Sequence, residues 1–126
     1  MNELEWITFV IGTTPDPALS PNSRVHWRKK HLAAKEQRAV AFSSVVNERK
    51  IFPSHTGRDI YVRYEVEWAG RRRRIDDDNL IAALKPMRDG VADALGGDDK
   101  LWITQRVTQT TGNDEPLTRI HLAIGD

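Results

Sequence analysis

Three consecutive aspartates beginning at Asp76 follow a run of four arginines, with a single isoleucine between them, in the stretch RRRRIDDDNL. Carboxylate oxygens are the ligands that a hard divalent ion such as Mg²⁺ or Mn²⁺ prefers. A second acidic pair, Asp98 and Asp99, lies farther along the chain. If a short connection returns that pair towards the first three, the carboxylates repel one another unless a cation sits among them. If the two acidic groups do meet, they predict a divalent-cation site.

Such a site would suit phosphodiester hydrolysis, because an ion held between carboxylates and phosphate oxygens activates water and stabilises the leaving oxyanion. Asp76 and Asp78 alternate in an extended lead-in, so both are expected to point to one side, with Asp77 pointing away. The arginines that precede them can hold the phosphates flanking a scissile one. These are Arg71, Arg72, Arg73 and Arg74.

A second basic patch surrounds Trp27, in and after a proline-rich segment. A solvated helix start would also explain it, but cations are disfavoured at that end of a helix, which favours an anionic partner. The patch consists of Arg24, Arg28, Lys29 and Lys30.

The helix expected after the aspartates carries polar residues on one face. Asp78, Ala82, Lys85 and Asp89 fall within about 60° of one another at about 100° per residue. A solvated face with a Lys85–Asp89 pair, stabilising by about 0.2–0.5 kcal/mol, is the alternative to a functional site.

The elements that must position these residues follow from hydrophobic periodicity and turn signals. The first strand is rich in β-branched and aromatic residues and is expected to be covered on both faces. The first helix is predicted from an apolar face, and Asp78 is the expected N-cap of the second, with a kink at Pro86. The last two strands are expected to form a hairpin. In order, we predict strand 4–12, helix 29–49, strand 60–68, helix 78–95, and strands 101–110 and 117–124.

Two sets of apolar residues define the faces of the predicted helices at about 100° per residue. The first helix has Leu32, Ala39, Phe42 and Val46. The second helix has Leu80, Leu84, Met87, Val91 and Leu95.

The order of elements predicts a single α+β domain over residues 1–126, with a mixed sheet and helices packed on it. The chain has 126 residues, a formal net charge of +1 and no cysteine, which excludes disulfides, thiolate metal sites and cysteine nucleophiles. It has no leader-like or long apolar segment, so we expect a soluble intracellular protein with no membrane contact. Its histidines show no ligand spacing.

The motifs RRRRIDDDNL, LKPMRDGVADAL and GGDD resemble the RusA family of Holliday-junction resolvases, common in phages and prophages. SPNSRVHWRKK is similar to the N-terminal element of that family, so the likeness extends from Ser20 to Val107. It implies that Asp76, Asp78 and the acidic pair, most of all Asp99, bind the metal.

The resemblance further implies that Lys85 is the essential lysine, and that Asn79 orients a ligand or contacts the backbone. The family lysine lies one turn earlier in the best-known branch, where this chain has Ala82. The activity implied is that of a homodimeric, Mg²⁺-dependent endonuclease, with Mn²⁺ as a substitute, that cuts four-way DNA junctions by paired nicks. It would work in the cytoplasm of a bacterium or phage-infected cell, without a nucleotide cofactor.

Two other functions stay open. The Ala82 departure favours a non-catalytic module that binds branched DNA and descends from such a nuclease. A nuclease acting on flaps or other branched DNA is the third reading. Asp89 and Asp98 are secondary candidates for the site in each catalytic case.

Overall fold

The computed structural model describes residues 4–72, 74–97 and 99–125. The predicted α+β class and element order are confirmed, with four strands in one mixed sheet and two long helices. A short 3₁₀ helix, Pro17–Leu19, lies within the proline-rich segment that precedes the second basic patch. In the described part of the chain, neither long helix has the length and apolar content to cross a bilayer. The main elements are β1 Ile7–Ile11, α1 Trp27–Glu48, β2 Ile60–Ala69, α2 Asp77–Ala94, β3 Trp102–Asn113 and β4 Leu117–Ile124.

The sheet has the strand order β1-β4-β2-β3, and β2 lies between the last two strands. The expected β3–β4 hairpin is therefore wrong, because β3 pairs parallel to β2 and β4 pairs antiparallel to it. Helix α2 makes the crossover that a parallel pair requires, so β2, α2 and β3 form a βαβ unit. The chain leaves β2 at Gly70, whose positive φ of 66° turns it away from the strand direction.

Strand β1 is an edge strand, paired only with β4 among the described residues. Phe9 and Ile11 are buried on its inner face, whereas Val10 on the other face is exposed. The expectation that both faces are covered is therefore wrong. A strand at the edge of an antiparallel pair needs only one buried face.

The core lies between the alternating face of β2 and the apolar arc of α2, as both patterns predict. Every second residue of β2 from Ile60 to Trp68 is buried. On α2, the predicted arc is buried from Leu80 to Val91, while Leu95 is partly covered at the helix end. Full burial of a side chain of this size stabilises the fold by about 1.5–3 kcal/mol, so these two elements hold the sheet and helix together.

Helix α1 is confirmed, but the apolar face that predicted it is on the solvent side. Leu32 is 64% exposed, and Phe42 and Val46 are also exposed. The buried side is made of smaller or polar residues: Ala33, Gln37, Ala41 and Val45. Small residues belong on this side because α1 lies unusually close to α2.

The close approach of the two helices is centred on Gly90. A Cβ atom added there would lie 2.2 Å from the Arg38 carbonyl oxygen and 2.9 Å from the Cβ of Ala41. The guanidinium of Arg38 also forms a bidentate pair with Asp93 of α2, at 2.6 and 2.8 Å. Glycine at position 90 therefore lets the backbones meet, and this pair holds them from the outer side.

Candidate functional site

Helix α2 begins at Asp77, and Asp76 is its N-cap, so the prediction of Asp78 as N-cap is wrong by two residues. Asp76 has extended backbone angles, and its carbonyl accepts the amide of Leu80 at 2.9 Å. Its side chain makes no capping hydrogen bond. Asp77 and Asp78 lie in the first turn, where the helix dipole stabilises negative charge. The Asp76 carboxylate is thus left for other partners.

The three aspartates line one open depression of about 530 Å³. Asp77 was expected to point away from an extended lead-in, but α2 begins at that residue, so the alternation of an extended chain ends there. Among the described residues, none of the three carboxylates forms an ion pair or a side-chain hydrogen bond. The rest of the lining comes from Arg74, Ile75 and Gln109.

The arginine run reaches this depression through its last residue. Arg74 lines it, and Arg71 is exposed nearby in sequence. Arg72 stacks on the indole of Trp68, with its guanidinium carbon 4.2 Å from the ring centroid. Such a contact stabilises by about 0.5–1 kcal/mol at an exposed site and leaves the N–H groups available for phosphate. Arg73 lies outside the described residues.

Gln109, on β3, is a functional candidate that sequence reasoning missed. It lines the acidic depression and is 6% exposed. Its side-chain amide contacts the backbone of Ile75, the residue directly before Asp76. One signal was present in the sequence: a long amide side chain within a strand predicted from its apolar and β-branched residues.

A second cluster of charges lies farther along α2, around Lys85. Its ammonium pairs with Asp89 at 2.6 Å, one helical turn away, as the helical spacing predicts. The same ammonium also pairs with Asp99, which comes from the connection between α2 and β3. Asp99 thus returns to the helix, at the level of Lys85. Asp98 lies outside the described residues.

Arg88 was also missed, and it fixes the segment that carries Asp99. Its Nε lies 2.9 Å from the Asp99 carboxylate, and its Nη2 donates to the carbonyls of both Asp99 and Trp102, at 3.2 and 3.0 Å. A further bond, at 3.3 Å, reaches the hydroxyl of Thr104. The signal in the sequence was a cation one helical turn after Leu84, beside the apolar arc of α2, where a partly buried charge needs partners.

The charges of this cluster shift its titrations in opposite directions. Burial raises the pKa of Asp99, but the hydrogen bond and charge of Lys85 and the charge of Arg88 more than offset this, and the pKa is lowered. Burial likewise lowers the pKa of Lys85, but Asp89 and Asp99 more than offset it, and the pKa is raised. Both groups are therefore held in their charged forms.

The aspartates at the start of α2 and the Asp99 carboxylate do not form one cluster in this structure. Position 78 and position 85 are separated by about 10 Å along the helix axis at 1.5 Å per residue. The described residues contain no group of three His, Cys, Asp or Glu side chains placed to share one metal ion. The carboxylates of Asp76 and Asp78 fit a hard cation, since they are exposed, supply oxygen donors and form no ion pair within the described ranges. Asp99 is instead neutralised by Lys85 and Arg88.

The second basic patch lies at the start of α1. His26 caps this helix by accepting the amide of Arg28 at its Nδ1 atom, at 3.1 Å. Arg28 also lies 5.5 Å from the ring centroid of Trp27, which is 66% exposed. Arg24 and Lys29 are exposed and Lys30 is half-buried. This patch presents cations and an indole to solvent together.

Comparison with known proteins adds one relative. An uncharacterized protein of Xylella fastidiosa (strain Temecula1) is 36% identical to the chain over 95 residues. The alignment covers 71% of this chain and 59% of that relative, so the chain spans less than two thirds of the relative's length. No protein-family model matches the chain.

Proposed function

We propose that the chain is a Mg²⁺-dependent endonuclease that hydrolyses phosphodiesters in branched DNA, with four-way junctions as its preferred substrate. The observation that carries the proposal is the depression at the start of α2. Asp76, Asp77 and Asp78, which have no ion-pair partner in the described part of the chain, line it together with Arg74. Cation ligands and a phosphate-binding side chain therefore share one opening. The resemblance to the RusA family supports the choice of substrate.

Each residue has a distinct part in the proposed reaction. Asp76 and Asp78 would hold Mg²⁺, or Mn²⁺ in its place. Asp99 is the candidate third ligand, and to bind the ion its carboxylate would have to give up its contacts with Lys85 and Arg88. The bound ion would supply Lewis-acid activation of water and of the phosphate. Lys85 would place its ammonium near the charge that develops on the phosphate oxygens. Asn79 would contact the DNA backbone or orient a ligand.

The remaining cations would hold DNA away from the scissile bond. Arg74 lines the depression, Arg71 and the indole-stacked Arg72 precede it in the chain, and the indole of Trp27 with its neighbouring cations offers a second phosphate-binding surface. Paired nicks across a junction need two active sites, so the proposal includes a homodimer. It also includes action in the cytoplasm of a bacterium or phage-infected cell.

The test is cleavage of a synthetic four-way junction with Mg²⁺ by the wild type and by Asp78→Asn. Asp114→Asn is the matched control, because Asp114 is an exposed aspartate in the β3–β4 connection. We expect the wild type and Asp114→Asn to cut alike, and Asp78→Asn to bind the junction without cutting it. Normal cleavage by Asp78→Asn would sink the assignment.

A non-catalytic module that binds branched DNA is the second candidate, and the ion pairs of Asp99 favour it. A carboxylate held by both Lys85 and Arg88 needs no cation to balance its charge. This candidate predicts salt-sensitive junction binding and no cleavage with any divalent ion. Rates on junction, flap, fork and linear duplex would separate a junction nuclease from one acting on other branched DNA.

A further inference from the structure

The side chain of Gln109 connects β2, β3 and the segment that leads into α2. Its Oε1 accepts hydrogen bonds from the indole Nε1 of Trp68 at 3.0 Å and from the amide of Ile75 at 3.3 Å. Its Nε2 donates to the carbonyl of Ile75 at 2.6 Å. One buried amide thus satisfies both backbone polar groups of the residue before Asp76.

Trp68 fixes the orientation of this amide. An indole N–H can only donate, so the oxygen of Gln109 must face it. The amide nitrogen then faces the Ile75 carbonyl, and the same oxygen is left within reach of the Ile75 amide. Glutamate lacks the donor at neutral pH, and leucine lacks both the donor and the acceptor.

We propose that Gln109 is a positioning residue that holds the Ile75 peptide so that Asp76 and the two aspartates after it line one depression. An effect of Gln109 on cleavage rests on the proposed function, whereas its effect on cation binding can be measured without any cleavage. Because Gln109 is almost fully buried, its bonds are little exchanged with water and constrain the lead-in strongly. Partners that orient metal ligands in this way commonly change metal affinity by about 10- to 100-fold when removed.

The experiment is a calorimetric titration of the full chain with Mn²⁺, comparing the wild type with Gln109→Leu and Trp68→Phe. Gln105→Leu is the matched control, because Gln105 lies on the same strand, is exposed and bonds Arg63 rather than the Ile75 peptide. We expect Gln109→Leu to weaken Mn²⁺ binding by about 10- to 100-fold, by the loss of ligand orientation. Trp68→Phe keeps the Ile75 bonds but loses the orienting donor, so a smaller loss is expected. The control should bind as the wild type does.

Amide hydrogen exchange at Ile75 supplies a readout that does not depend on any metal. Exchange should be faster in Gln109→Leu and unchanged in Gln105→Leu. If the proposed nuclease function holds, kcat for junction cleavage should fall in Gln109→Leu, with little change in KM.

The outcomes separate the two proposals. If the wild type binds no Mn²⁺, the metal site is overturned. If Ile75 exchange is nevertheless faster in Gln109→Leu, the hold of Gln109 on the Ile75 peptide is supported. Unchanged Mn²⁺ affinity together with unchanged Ile75 exchange overturns the positioning role. Should Gln109→Leu fail to fold, the Mn²⁺ affinity of Trp68→Phe decides, and an affinity equal to that of the wild type overturns the proposal.

Discussion

Substitution of Gly90 by alanine has two opposing effects on stability: it raises the helix propensity of α2, and it disturbs the packing of α1 on α2. In an exposed helix interior, replacing glycine by alanine stabilises by about 1 kcal/mol. At position 90, however, the new Cβ would lie 2.2 Å from the carbonyl oxygen of Arg38 and 2.9 Å from the Cβ of Ala41. Neither atom belongs to a flexible side-chain end, so the helices must move apart.

Overpacking of this kind costs about 1–3 kcal/mol, and contact with a backbone carbonyl places the cost at the upper end. After the propensity gain of about 1 kcal/mol is subtracted, we expect Gly90→Ala to lower the free energy of unfolding by about 1–2 kcal/mol. For a chain of this size that corresponds to a fall in Tm of roughly 3–10 °C.

Urea denaturation followed by circular dichroism measures this change, with Ala82→Gly as the control for propensity on the exposed face of α2. Ala82→Gly should cost about 1 kcal/mol, since it reverses the propensity term without a packing change. A Gly90→Ala protein more stable than the wild type would refute the reasoning, because it would mean that the two helix backbones do not meet at Gly90.

Three other predictions concern α2 and the Asp99 connection. Arg88→Met should lower the free energy of unfolding by about 3 kcal/mol in urea denaturation, since it leaves the Asp99 and Trp102 carbonyls without their donor; a change below about 0.5 kcal/mol would contradict this. Because the folded-state pKa of Asp99 is lowered, its contribution to stability is present above the unfolded pKa and is lost as pH falls through the folded one. As the pH is lowered from about 6, the free energy of unfolding should therefore fall less steeply in Asp99→Asn than in the wild type. Parallel plots of unfolding free energy against pH would refute the pairing of Asp99 with Lys85 and Arg88. Pro86→Ala should raise the urea midpoint, because it supplies the N–H that the Ala82 carbonyl lacks and relieves a cost of about 3 kcal/mol for proline inside a helix. An unchanged or lower midpoint would mean that the kink predicted at Pro86 is part of the native packing.

Strong periodicity explains which elements could be predicted. The alternation of β2 and the apolar arc of α2 are buried as expected, because a strand and a helix bury residues at different fixed intervals. The same logic identified α1 and yet selected the wrong face, since Leu32 and its neighbours are exposed. A helix that approaches another at a glycine buries small residues, and apolar periodicity does not detect them.

Strand pairing could not be predicted from local patterns. The segment between β3 and β4 has the residues of a turn, and adjacent strands commonly form hairpins. In the structure β2 lies between them, because the parallel β2–β3 pair uses α2 as its crossover. Pairing depends on contacts between segments that are distant in the chain, and these belong to the assembled sheet.

The sequence by itself determined the chemistry present in this protein: three adjacent carboxylates, an arginine run before them, a lysine on the following helix, and a second acidic pair. Tertiary structure alone decided how these groups meet. It placed Asp99 against Lys85 and Arg88, and it brought Gln109 to the peptide before Asp76. Residue types and helical spacing are encoded locally, whereas contacts across the sheet and the α2–β3 connection depend on strand register and helix packing.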